Sequence, residues 1–166
     1  MARAAETETA ALLSRIRLFS ELSEQEREAV AACAIRKSFS AGECLFLEGE
    51  ACRGMYLLGE GSVRIFKSSA SGREILLTME TAPCSIAEIP VFDGGEYPAS
   101  AVAVGQVTAY LISKQDFRAL CWQYPDLALK VLAMVGKRLR GLVSMLHQVT
   151  FGGVRQRLAR TLLDFE

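Results

Sequence analysis

The sequence predicts a mainly β domain, a sandwich or barrel, flanked by helices and followed by one long helix. Three observations carry that reading. Nine of the thirteen glycines fall between Gly42 and Gly105 and punctuate short β-rich runs. Ser23 and Ser113 each stand three residues before an acidic side chain, Glu26 and Asp116, at the mouths of amphipathic segments. From Leu132 to Val149, apolar residues recur at alternating spacings of three and four.

The bulk properties set limits. A chain of 166 residues is long enough for one core with an appended element, and 51% hydrophobic residues mark it as globular. Nineteen Lys and Arg balance nineteen Asp and Glu. DNA-binding domains commonly carry a basic surplus, because phosphate neutralisation supplies much of their affinity. DNA contact through these residues alone is therefore not expected. No apolar run is long enough for a transmembrane helix, and Met1 to Thr9 lacks the basic-then-apolar layout of a secretory signal. A cytoplasmic protein without membrane contact is the expectation. The five cysteines, Cys33, Cys44, Cys52, Cys84 and Cys121, are odd in number and lack the paired spacing of a zinc site or a redox dithiol. Buried or half-buried free thiols are expected.

Along the chain, Ala10 to Ile16 reads as helical. The Ser23 and Glu26 capping box predicts a helix from Glu24 to about Ala34. Strand-like runs follow at Cys44–Leu47, Met55–Leu58, Val63–Lys67, Ile75–Met79, Ala101–Val104 and Thr108–Ile112. Turn signals every 8–12 residues or so between such runs are the mark of a sandwich or barrel. Val63, Ile65 and Lys67 fall on one face of their strand, Arg64 and Phe66 on the other. Ser69 to Gly72 reads as a hairpin tip. A short helix opens after Ser113, with Phe117, Leu120 and Cys121 on one face. Pro125 belongs in the first turn of the long helix, where its missing N–H costs nothing.

On that long helix Leu132, Val135, Leu139, Leu142, Leu146 and Val149 form a narrow a/d seam. Such a seam prefers a partner helix of the same kind, which predicts a homodimer; the alternative is packing of the stripe against its own domain. Lys137, Arg138 and Arg140 lie opposite. Gly152 and Gly153 break the helix and form a candidate hinge. The expected organisation is a helical segment over 1–35, a β sensor domain over 36–113, a short and a long helix over 114–151, and a hinge with the start of a further domain over 152–166. The stripe of Val154, Leu158 and Leu162 would dock on that further domain, so the chain is expected to stop just inside it.

Helix, glycine-punctuated β region, short helix, long helix and Gly-Gly break, in that order, resemble the Crp/Fnr superfamily of bacterial transcription regulators. Local motifs carry the same resemblance: Leu18 to Ser23; Ala41 to Glu50; Tyr56 to Val63; Ala87-Glu88-Ile89 with Phe92 to Gly95; and Arg157 to Leu163. The resemblance implies a double-stranded β-helix, or jelly roll, of the cyclic-nucleotide-binding kind that senses a small-molecule effector. It implies a homodimer through the long helix and a winged helix-turn-helix DNA reader beyond this chain. The alternative is a stand-alone cyclic-nucleotide-binding-like domain regulating a protein partner.

The family's phosphate-binding cassette implies ligand contacts at Ile86, Ala87, Glu88, Ile89, Tyr97, Pro98, Ala99 and Ser100. In cyclic-nucleotide-binding relatives a glutamate takes the ribose, and an arginine followed by Ser or Thr takes the phosphate. Glu88 matches that glutamate. Ala87 stands in place of the preceding glycine. Counted without a gap, Tyr97 and Pro98 occupy the arginine and Ser/Thr positions, and neither neutralises a phosphate. Ser100 or Arg73 would compensate only if loops shifted. On the long helix, Leu142 and Val143 match two hydroxyl positions that meet adenine, and an amino group there would stay unsatisfied. Cyclic AMP and cyclic GMP are therefore disfavoured. Glu88 has a second reading, as a cap of a short helix or the partner of a nearby Arg.

Other effectors remain. An iron–sulfur cluster needs a group of N-terminal cysteines that this spacing does not provide. Haem suits the apolar Leu142 and Val143, with His147 as the one histidine. The remaining options are a small metabolite or carboxylate, no ligand at all, or thiol chemistry at Cys33, Cys52 or Cys121, which needs low-pKa, accessible thiols. No nucleophile elbow, P-loop or metal-ligand pair is present, so no catalytic or metal site and no enzyme are expected.

Overall fold

A computed structural model describes residues 2–151. The N-terminal helix α1 (Ala2–Arg15) leads through tight turns into α2 (Glu24–Ala32). Ser23 closes a complete capping box: its Oγ accepts the Glu26 N–H at 3.3 Å, and the Glu26 carboxylate accepts the Ser23 N–H at 2.7 Å. The helix ends two residues sooner than its apolar pattern predicts, and Ala34 instead opens the first strand.

Eight strands follow: β1 (Ala34–Phe39), β2 (Cys44–Phe46), β3 (Gly54–Glu60), β4 (Ser62–Ser68), β5 (Glu74–Thr81), β6 (Cys84–Ile86), β7 (Ser100–Ala103) and β8 (Val107–Ser113). They form two antiparallel four-stranded sheets, ordered β1-β8-β3-β6 and β2-β7-β4-β5. Eight strands in two such sheets are the layout of a jelly roll, and the expected fold class holds. β3 and β4 meet in a turn at Gly61, where φ is +86° and a Cβ would stand 2.3 Å from the Gln106 carbonyl oxygen. Only glycine fits that turn. The Ser69 to Gly72 tip joins β4 to β5 as expected, with the Ser69 N–H on the Arg73 carbonyl at 2.9 Å.

The interior cluster includes Leu45, Tyr56, Leu58, Val63, Ile86, Ala101 and Ala109, with Ile65 packed against it. Val63 pairs with Ala103 and Ile65 with Ala101, so these four share the inner face. Arg64 and Phe66 take the other face, the guanidinium lying 4.2 Å from the ring centroid. β5 is an edge strand whose Ile75, Leu76, Leu77 and Met79 all stay exposed.

Between β6 and β7 runs the short helix α3 (Ile89–Asp93). After β8 comes α4 (Lys114–Gln123), capped by Ser113, whose Oγ accepts the Asp116 N–H at 3.0 Å. Phe117 and Leu120 are buried and Cys121 is half-buried. The long helix α5 (Pro125–Phe151) begins at Pro125. Backbone contacts divide the chain into two units at Ala128/Leu129, so α4 and the first turn of α5 group with the β roll. Gly152 and Gly153 lie outside the described residues, as does the 152–166 segment.

Candidate functional site

The segment from Ile86 to Ser100 is built around one unusual backbone position. Ala87 sits at φ 63°, a left-handed conformation that non-glycine residues rarely adopt. It turns the chain out of β6 and into α3, with Glu88 at the N-cap position. The Glu88 side chain makes no cap bond; it accepts the Ser85 hydroxyl at 2.7 Å. The capping reading of Glu88 thus gives way to a carboxylate anchored by its own turn. Gly94 ends α3 at φ 81°, and Gly95 N–H reaches the Asp93 carboxylate at 2.8 Å.

Tyr97 lies on the segment that returns from α3 to β7. Only 2% of the tyrosine is exposed. Its hydroxyl donates to the Gly54 carbonyl at 2.9 Å and accepts the Arg53 and Gly54 N–H groups at 3.1 and 3.2 Å. Its ring stacks on Phe46, centroids 4.2 Å apart. Burial pushes its phenol up to about 12, against the pull of the Gly54 hydrogen bond. One phenol has a single donor and two acceptor lone pairs, and all are used. Nothing of this oxygen is left for a ligand.

Ile86 and Tyr97 meet in one apolar cluster, with Ala87 packed against it. Ala99 and Ser100 are buried as well. Ser100, however, pairs with Phe66 and so lies on the outer face of its sheet, where its Oγ accepts the Glu48 N–H at 3.0 Å. Ile89 and Pro98 are exposed. Arg73 stands at the hairpin tip, at the far end of β5 from the turn into β6. Val143 is exposed on α5, while the side chains of Leu142, Leu146, His147 and Val149 fall outside the described ones.

The electrostatics beside β6 are negative. Burial, then Glu80 and Glu88, push the Cys84 thiol up to about 12. Burial likewise raises Cys33, with Asp116 adding to it, and Cys121. Thiols raised in this way are poor nucleophiles at neutral pH, against the thiol reading of those two positions. Among the described residues no group of three or more His, Cys, Asp or Glu is placed to hold a metal.

Sequence reasoning missed two participants. Ser85 holds Glu88, and the Arg53–Gly54 backbone holds Tyr97 from more than forty positions away. A Ser three residues before the glutamate was a readable signal. A backbone partner reached only through the tertiary fold was not.

The cyclic nucleotide-binding domain model matches residues 36–124. The cyclic AMP receptor protein of Thermus thermophilus is 30% identical over 88% of this chain and 68% of its own length. The CRP-like cAMP-activated global transcriptional regulator of Mycobacterium tuberculosis is 29% identical over 76% of this chain. The chain spans 56% of that regulator's length. Among solved structures, the sensor domain of the transcriptional regulator DNR from Pseudomonas aeruginosa superposes with a TM-score of 0.73 at 26% identity. That match covers 84% of this chain and 93% of the other. With the jelly roll, the cassette turn and these relatives together, the chain belongs to the cyclic nucleotide-binding domain family, on its Crp/Fnr-type regulator branch.

Proposed function

We propose that this chain is the effector-sensing and dimerising portion of a Crp/Fnr-type transcription regulator whose effector is not a cyclic nucleotide. One observation carries the effector reading. At the position aligned with the phosphate arginine, Tyr97 is buried with its hydroxyl fully committed to Arg53 and Gly54. Pro98 follows it, and it brings no charge either. Neither side chain offers a phosphate the guanidinium fork that an arginine at this position would supply.

The homodimer reading rests on α5. Leu132, Val135 and Leu139, three successive members of the seam, are 66%, 41% and 60% exposed. A helix with an unpartnered apolar stripe of this spacing favours a second copy. The balanced charge leaves DNA reading to other parts of such a regulator, and no catalytic role is assigned. Among the described residues no helix is long and apolar enough to cross a membrane.

The test is thermal unfolding of the chain with and without millimolar cyclic AMP or cyclic GMP. No change in Tm is expected. A ligand at a hundred times its Kd adds about 2.7 kcal/mol, which is several degrees for a domain of this size. A rise of that order would overturn the reading of Tyr97 and Pro98.

A further inference from the structure

A concavity of about 230 Å³ opens where the 47–53 turn meets β2 and the exit of the cassette. Leu45, Phe46, Tyr56 and Tyr97, all buried, lie beneath it, and much of its open lining is polar. Two opposite charges line it, Glu50 and Arg53. No ion pair joins them, and among the described residues the Arg53 guanidinium has no hydrogen-bond or carboxylate partner. One Glu50 oxygen accepts the Leu47 N–H at 3.1 Å, which fixes the carboxylate over the turn. Both charges bear on the Tyr56 hydroxyl in the floor: burial raises it, Arg53 lowers it, and Cys44 and Glu50 raise it again.

We propose that this cavity binds a small zwitterion, a free α-amino acid with an apolar side chain, its carboxylate on Arg53 and its ammonium on Glu50. A guanidinium matches a carboxylate in fork geometry, and a carboxylate accepts from an ammonium. A simple anion would be opposed by Glu50, and a simple cation by Arg53. The volume falls below the roughly 300–1,000 Å³ of drug-sized pockets, which suits one small metabolite. The site is also wired to the cassette. Gly49 N–H binds the Tyr97 carbonyl at 2.9 Å, and Tyr97 N–H binds the Glu50 carbonyl at 2.9 Å. Occupancy would therefore stiffen the exit of the cassette through Tyr97, whatever ligand the cassette itself takes.

The experiment is amide NMR on the isotope-labelled 166-residue chain, titrated with L-leucine, L-methionine and L-phenylalanine. Saturable shifts are expected at residues 44–53 and at Tyr97 for at least one of the three. R53M and E50Q should each weaken that binding about 10-fold or more, as the loss of a charge-assisted hydrogen bond does. Both side chains are exposed, so the unliganded spectra of the variants should keep their dispersion. Isocaproate and isopentylamine, which each carry one of leucine's two charges, should bind more weakly by a similar factor. The proposal is overturned if none of the three amino acids moves these amides, if the single-charge analogues bind as tightly as leucine, or if both variants retain full affinity. Shifts confined to Ile86–Ile89 would also overturn it, since they would place the ligand in the cassette instead.

Discussion

Tyr97 concentrates three backbone hydrogen bonds on one buried oxygen, and in doing so ties the end of the cassette to the start of β3. Tyr97→Phe keeps the stack on Phe46 but leaves the Arg53 and Gly54 N–H groups without this acceptor and the Gly54 carbonyl with only the Cys52 thiol, at 3.7 Å. A loss of roughly 1–3 kcal/mol is expected in urea unfolding, the cost of leaving buried polar groups unpaired. A neutral result would mean that water replaces the hydroxyl. Ala87 offers the opposite experiment. Its φ of 63° places an L side chain where glycine is at ease. Ala87→Gly removes that strain while adding chain entropy to the unfolded state, so a net gain of up to about 1 kcal/mol is expected. A clear loss would show that the methyl's packing against the interior cluster outweighs the backbone strain.

At the scale of elements, what the sequence announced was set by local chemistry. The Ser23 and Ser113 caps, the glycine turns and Pro125 all fell where their bonding requires, because each acts within a few residues. β1 was invisible: Ala-Ile-Arg-Lys-Ser-Phe is mostly exposed and exists by pairing along its whole length with β8, some seventy residues later. β6 is three residues long and gave no periodicity to read. β5 shows the reverse limit, since its apolar run marked a strand without marking burial. At the site, the cassette's residues were legible but their partners were not, because Tyr97 is satisfied by backbone that only the folded roll brings near. The stripe on α5 was legible as a pattern, and it makes a prediction at this scale. Leu132→Asp with Leu139→Asp places two carboxylates in the proposed helix seam, where a buried unpaired charge is strongly unfavourable. Sedimentation should then report a monomer with an intact β roll. A persistent dimer would move the interface off α5.

Across the described residues, partial burial favours the neutral forms of several thiols and phenols, and this fixes how stability responds to alkali. Cys84 is raised from 9.0 to about 12, by burial first and then by Glu80 and Glu88. Tyr97 is raised from 10.0 to about 12, by burial first. Cys33, Cys44, Cys121, Tyr56 and Tyr110 are raised as well, each chiefly by burial. Between the ordinary and the raised value the unfolded chain has released a proton that the folded chain still holds. The unfolded state then binds fewer protons, so stability falls as pH rises. The contribution of these groups is fully present below pH 9.0 and is lost on the way to about 12. Urea midpoints measured from neutral pH upwards should decline once pH passes 9.0, the Cys84 starting value. Cys84→Ala should flatten the first part of that decline, and Tyr97→Phe the part above 10.0. A decline equally steep in Cys84→Ala would mean that the thiol is solvated in the native state and that Glu80 and Glu88 do not face it.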